Sequence, residues 1–486
     1  MASQKYEPVI GLEIHAQLLT KTKLFCGCST EFGKPPNSLT CPVCLGHPGA
    51  LPVLNQEAAV MAIKLALAIH ASVHLRSEFS RKNYFYPDLP KGYQITQYHF
   101  PIAVGGYLMI DSEEGPKTIG IERINLEEDA GKSIHDGMPD SAEKTYLDFN
   151  RSGVPLLEIV GKPEINSPAE AVEFLQQFRT ILQYLEICDG NMEEGSLRCD
   201  ANLSVKEKGS ARFGVKTEIK NLNSFRFLQK ALEYEAQRQM ECLEQGISIH
   251  QETRFFDSSQ SKTFPMRSKE EAHDYRYFPE PDLPPLVISE EIIQEAKATF
   301  PELPQEKIAR FVQEYQIPLY DAKIMATSKD LASYFEEVAS KSKNPKQASN
   351  WMMREVLQYL KKTNSSIREF PISPLNLAQL IRLVETNEIT HLVAKEKVFP
   401  QMIQTKKEAA QIVEEEGLSQ VSDVSSLKEV ILKVIEKNPQ TLKQYKEGKL
   451  QVFGFFVGQV MKETKGSANP QVVQKLLKDL LDEAQV

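Results

Sequence analysis

Glu13 and His15 stand two apart in residues 9–18, where Ile10, Leu12, Ile14 and Leu18 alternate with Glu13, His15 and Gln17. A period of two is that of a half-buried strand, so the two groups share one face and can reach a single cation. Four later stretches repeat the design. Residues 119–132 alternate through Leu126 and end in Glu127, Glu128 and Asp129. Three consecutive acids make either an exposed, self-repelling edge or a site for a hard cation, which needs oxygen ligands and offsets their repulsion. In residues 147–160, Glu158 lies in an otherwise apolar strand. A carboxylate there is costly unless paired, with Arg151, or bound to a metal. Residues 189–205 join a Gly-flanked turn carrying Glu193 and Glu194 to a strand with Arg198, Asp200, Asn202 and Ser204 on its polar face. Residues 215–221 repeat this with Lys216, Glu218 and Lys220. Acids for a cation and basic groups for phosphate suit a nucleotide–metal site. A water-facing antiparallel sheet would also alternate, but five strands with this choice of residues point to one sheet whose acidic face holds Mg²⁺ and the phosphates of ATP.

Cys26 and Cys28 form one cysteine hook and Cys41 and Cys44 a second, twelve residues on. Two hooks on a loop make either a closed, structural Zn²⁺ site or four buried reduced thiols. Residues 80–95 interleave Arg81, Lys82 and Lys91 with Tyr84, Phe85, Tyr86 and Tyr93, a mixture for phosphate and stacked bases or for a loop anchored by its own aromatics. The net charge of −9 excludes a simple polycation, yet residues 428–478 carry ten lysines against four acids. That end alone is expected to meet a polyanion. There is no apolar signal core, no run approaching the ~20 residues that span a bilayer, and an odd total of seven cysteines. A cytoplasmic protein that touches no membrane is expected.

These strands need an apolar underside and helices to cover it. The helical spacing of residues 57–71 and of 224–245, capped by Ser224 and stopped at Gly246, supplies candidates. Proline-rich residues 279–285 end the β-rich part. The expected division is a catalytic domain with a zinc loop over 1–291, a helical domain over 292–410 and a helical tail over 411–486, an α+β protein. Within the helical half, residues 344–362 and 395–416 each read as one helix. Gly454, Gly458 and Gly466 permit close backbone approach, Lys462 and Lys465 can meet phosphate, and Asn469–Pro470 starts a last helix.

Seven ordered motifs carry a resemblance along essentially the whole chain. They run from Val9-Ile-Gly-Leu-Glu13-Ile-His15 through Arg81-Lys82-Asn-Tyr-Phe-Tyr-Pro, Leu126-Glu127-Glu128-Asp129-Ala-Gly-Lys132 and Asn150-Arg151-Ser-Gly-Val-Pro-Leu-Leu-Glu158. Met192-Glu193-Glu194-Gly-Ser-Leu-Arg198-Cys-Asp200, Lys220-Asn-Leu-Asn-Ser and Asp274-Tyr-Arg276-Tyr-Phe-Pro complete them. The chain resembles the GatB family, the B subunits of aspartyl/glutamyl-tRNA amidotransferases. The resemblance implies an antiparallel-sheet cradle similar to the catalytic fold of glutamine synthetase. It also implies two partners in a heterotrimer: an amidase subunit, which frees ammonia from glutamine, and a small third subunit. The chain itself would use ATP and Mg²⁺ to phosphorylate the side-chain carboxylate of Glu-tRNA(Gln) or Asp-tRNA(Asn), and channelled ammonia would displace the phosphate. The tail would touch tRNA, and a non-discriminating aminoacyl-tRNA synthetase is a further partner.

On this reading Glu13, His15, Glu128 and Glu158 are the first candidates for Mg²⁺, followed by Glu127, Glu193 and Asp200. Arg198 and Lys220 are candidates for the ATP phosphates, and Lys82, Glu127 and Asp274 for the exit of the ammonia route. The rival readings are a noncatalytic tRNA-binding scaffold and a metal-dependent hydrolase. A scaffold does not require Glu13, His15, Glu128 and Glu158 on inward faces. The hydrolase lacks a clear nucleophile or an open zinc triad.

Overall fold

The five alternating stretches become neighbours in one sheet. The computed structural model describes residues 5–266, 274–419, 424–449, 451–464, 468 and 470–483, and among these the largest sheet has ten strands. Its order is Lys262–Pro265, Glu252–Asp257, Thr217–Lys220, Leu197–Glu207, Tyr6–Gln17, Pro155–Gly161, Gly115–Glu128, Ala103–Val104 and Ser72–Val73, with Tyr107–Ser112 also paired to Gly115–Glu128. The chain is α+β. The expectation of a purely antiparallel sheet is corrected at one place, because Thr217–Lys220 and Glu252–Asp257 run parallel. Helix Phe225–Glu244 lies between them in the chain, and a long crossover of this kind is what a parallel pair needs.

Alternation gives the sheet two unlike faces. Ile10, Leu12, Ile14 and Ala16 point into a core with Ile124, Leu126, Leu157, Ile159, Ala201 and Leu203. Helices Gln56–Ala68, Pro168–Tyr184 and Phe225–Glu244 supply buried residues to the same core. Each has a side-chain cap that satisfies an otherwise orphaned amide. Asn55 accepts from the Glu57 N–H at 3.0 Å, Ser167 from Glu170 at 3.1 Å and Ser224 from Phe227 at 3.1 Å. Phe174 is fully buried beneath the sheet, and Phe174→Ala is expected to lower stability by about 3–5 kcal/mol in chemical denaturation. A three-stranded sheet of Phe278–Pro279, Ser80–Asn83 and Tyr93–Thr96 brings Lys82 and Thr96 to the polar side. Arg81 ties it together, donating to the buried Glu280 at 2.7 and 2.8 Å.

Chain contacts divide the molecule at Pro304, into units 1–304 and 305–486, later than the expected break after residue 291. Helix Glu290–Ala298 belongs to the first unit because Ile292, Ile293 and Ala296 pack into the sheet's core. The second unit is helical and holds two separate apolar clusters, one from Phe311 to Leu418 and one from Leu427 to Leu481. Its two long expected helices are interrupted. Met352–Val356 is a π turn between Pro345–Trp351 and Leu357–Thr363. A second π turn, Ala394–Val398, precedes Phe399–Thr405, where Pro400 lacks the N–H that a regular turn would use. The chain then breaks at Lys406, in the left-handed region, and resumes as Ala409–Glu415. Among the described residues no helix is long and apolar enough to cross a membrane. Lys465, Gly466, Asn469 and residues 267–273 lie outside the described residues.

Candidate active site

Strand register builds the site on the polar face. His15 lies opposite Glu158 on one side and Arg198 on the other, Glu13 lies opposite Asp200, and Glu158 lies opposite Asn125. Directly opposed residues point to the same face. One ligand atom each from Glu13, His15 and Glu158 falls within a 4.8 Å span. His15 Nε2 is 3.7 Å from Glu13 Oε1 and 3.9 Å from Glu127 Oε1. Asn125 Nδ2 donates to Glu158 Oε2 at 2.5 Å, and Thr96 Oγ1 donates to Glu127 Oε2 at 2.8 Å.

Glu128 does not join this group, contrary to the expectation for a first-rank metal ligand. It is one residue past Glu127, so the pleat turns it to the opposite face. There it is ion-paired with Lys91 and accepts from the Ile95 N–H at 2.9 Å. Its neighbour Glu127 faces the site instead. Arg151 does not pair with Glu158 but lies 3.8 Å from Asp129. Asp129 also accepts from Arg198 at 3.0 Å on both oxygens and from Gln17 at 2.7 Å. Lys220 is 3.1 Å from Asp200 and 3.0 Å from Glu218. His15, Lys82, Glu127, Arg198, Asp200 and Lys220 line a cleft of ≈ 460 Å³, and Glu13 and Glu158 adjoin it through His15. Lys82 Nζ lies over the Tyr275 ring at 5.0 Å. Glu193 is exposed in its turn and absent from the cleft lining, and Asp274 is exposed, 3.5 Å from Arg276.

The face holds more buried carboxylate than its own cations neutralise. Burial, then Glu158, pushes Glu13 up to about 7. Burial and Glu158 push Glu127 up to about 8 against Lys82 and Thr96. Burial would raise Glu158 as well, but His15 when protonated, the Asn125 amide and Lys82 outweigh it and hold Glu158 below the usual carboxylate range. Burial holds His15 below its ordinary value, which favours the neutral ring that ligates metals. Two oxygens and one imidazole nitrogen in excess negative charge are a donor set that fits a hard divalent cation.

A family model described as the GatB/GatE catalytic domain matches residues 8–294, and one described as the GatB domain matches residues 333–481. A protein of Thermodesulfovibrio yellowstonii, named as the B subunit of an aspartyl/glutamyl-tRNA(Asn/Gln) amidotransferase, is 53% identical over 479 residues, 99% of this chain and all of that protein. Proteins of the same name from Carboxydothermus hydrogenoformans and Chlorobium phaeobacteroides are each 52% identical over 98% of this chain and 99% of their own length. The chain belongs to the GatB family.

Every residue of the polar cleft lies inside the span matched by the GatB/GatE catalytic domain. So do Cys26, Cys28, Cys41 and Cys44, whose sulfurs come within 4.8 Å of one another as free thiols. Cys44 is pushed down to about 4, first by a hydrogen bond from Cys26 and also by the charge of Lys23. Burial and the neighbouring thiols push Cys26 and Cys28 the other way, so the fit to Zn²⁺ rests on the convergence of four sulfurs. In this GatB chain, reasoning from the sequence passed over Asn125, Thr96 and Asp129 as partners. The parity of residues 124–127, apolar at 124 and 126, carried the signal for Asn125 and Glu127. Nothing local signals that Asp129 meets Arg198.

Proposed function

We propose that this chain, as one component of a tRNA-dependent amidotransferase, carries the site that activates and amidates the aminoacyl side chain. The observation that carries the reading is the convergence of Glu13, His15 and Glu158 beside Arg198 and Lys220. A carboxylate is a poor electrophile because its leaving group would be oxide, and phosphorylation by ATP supplies a better one. Glu13, His15 and Glu158 would hold Mg²⁺, which when bound spreads the charge of the transferred phosphoryl. Arg198 and Lys220 bind phosphate oxygens and orient the nucleotide. Ammonia then attacks the acyl phosphate, the new C–N bond forms as the C–O bond to phosphate breaks, and a nitrogen proton must leave. Glu127, pushed up to about 8 even with the charged Lys82 beside it, is mostly protonated at neutral pH, and its ionised fraction can take that proton.

The product is Gln-tRNA(Gln), Asn-tRNA(Asn) or both, according to which mischarged tRNA is supplied. Ammonia comes from a separate amidase subunit, and a small third subunit joins them to make a heterotrimer in the cytoplasm. The cradle shares the glutamine synthetase design, in which a sheet presents carboxylates to nucleotide and metal. The four cysteines hold structural Zn²⁺. The helices beyond residue 304 act as two domains, one around the Phe311–Leu418 cluster and a tail around the Leu427–Leu481 cluster, and the lysine-rich tail contacts tRNA. In the assembled complex, His15→Asn is expected to abolish ATP-dependent Gln-tRNA formation while glutaminase activity and tRNA affinity persist. Undiminished amide formation by that variant would overturn the reading.

A further inference from the structure

The cysteine hook and the polar cleft are bonded to the same turn, residues 147–154. On the hook side, Asn37 acts as a clamp. Its Oδ1 accepts from the Phe149 N–H at 2.8 Å, its Nδ2 donates to the Leu147 carbonyl at 2.9 Å, and its N–H donates to Asp148 Oδ1 at 3.0 Å. Its φ of 59° is left-handed, a conformation that asparagine tolerates. Asn150 returns the contact, accepting from the Leu39 N–H at 2.8 Å and donating to the Pro35 carbonyl at 2.8 Å. Lys23, fully buried, lies 3.6 Å from Cys44 Sγ and donates to the Phe149 carbonyl at 3.2 Å.

On the cleft side, Arg151 donates to the carbonyls of Ala130 at 3.0 Å and Gly131 at 2.6 Å and lies beside Asp129. The backbone of the turn exchanges bonds with Asp129 at 2.8 Å in each direction. Asp129 in turn fixes the Arg198 guanidinium. Residues 31–38 of the hook are exposed and have no core of their own, so their shape depends on whatever joins the four sulfurs.

We propose that the metal-bound hook is the clamp that places Arg151 and Asp129, and through them Arg198, so that occupancy of the four thiols sets the affinity of the cleft for ATP. Asn37 and Arg151 are positioning residues, acting through Asp129. The inference rests on the reading of the cleft as the nucleotide site.

The test is ATP–Mg²⁺ binding to the assembled complex without tRNA, by calorimetry. The samples are the untreated complex, the complex stripped of zinc, the same complex reloaded with zinc, and the variants Asn37→Ala and Arg198→Ala. Stripping is expected to weaken binding about tenfold and reloading to restore it, in line with the effect of supporting partners at a site. Asn37→Ala should weaken binding by a similar factor while retaining its zinc, and it keeps the test open should stripping unfold the chain. Arg198→Ala should weaken binding at least as much. Loss of affinity in Arg198→Ala with none in Asn37→Ala or the stripped complex would overturn the clamp and leave the nucleotide reading standing. Unchanged affinity in Arg198→Ala would overturn both.

Discussion

Glu158→Gln should cut ATP-dependent amidation by about 10²–10³-fold, the scale of losing one preorganised electrostatic contact to the reacting group. The reason is orientation as much as charge. Asn125 Nδ2 already donates to Glu158 Oε2 at 2.5 Å. In the variant the side-chain oxygen must face that donor, so the new NH₂ turns toward Glu13 and His15, where a cation would need an oxygen. The Mg²⁺ concentration giving half-maximal rate should rise in parallel, and glutaminase activity should be untouched. Glu128→Gln is the matched control. Its side chain faces the other way, paired with Lys91, and the variant leaves that buried ammonium without its counter-charge. Urea unfolding should show a loss of about 3 kcal/mol, while the folded fraction amidates within a few-fold of the parent. Steady-state rates and unfolding curves for the two variants check this directly. A collapse of chemistry in Glu128→Gln with full activity in Glu158→Gln would reverse the assignment of faces.

That pair of variants also marks what the sequence makes legible. Alternation alone brings Glu13, His15 and Glu158 to one face, because a period of two survives in each strand and the polar residues stand where the apolar ones do not. Ranking Glu128 above Glu127 runs against parity, because Ile124 and Leu126 on the core face put Glu127, two residues from Asn125, on the polar one. Asn125 and Thr96 carry no charge, and a neutral polar group on a strand reads like any solvated one until its partner is known. Glu193 sits on a turn and Asp274 in an irregular segment, both with the right chemistry, yet the structure leaves both exposed, because the aim of such a segment depends on what it packs against. The cysteine hooks need only local spacing to be seen. The end of the first unit needs more. Helix Glu290–Ala298 has an ordinary amphipathic pattern, and only the core it joins assigns it to the sheet rather than to the helices that follow.

The least legible contact also carries a large expected effect on stability. Asp129 and Arg198 are 69 residues apart in sequence, and Asp129 is 3% exposed beneath two guanidinium groups. Burial would raise its carboxyl, but Arg198, Arg151 and Gln17 hold it below the usual aspartate range. Asp129→Asn keeps the shape and removes the counter-charge of both arginines. The expected cost at neutral pH is about 3 kcal/mol, at the lower end for breaking a buried pair because each guanidinium is about a third exposed to water. The sign with pH follows from the depressed value. A carboxyl that ionises more readily folded than unfolded contributes its full stability above the unfolded value near about 3.9, and loses it as pH falls through the folded one. The gap in unfolding free energy between parent and variant should therefore be widest at neutral pH and narrow in acid below about pH 4. Denaturation midpoints measured from pH 7 down to pH 3 test it. A gap that stays constant across that range would mean that Asp129 is not the ionised anchor of Arg198, and the cleft's basic side would need another support.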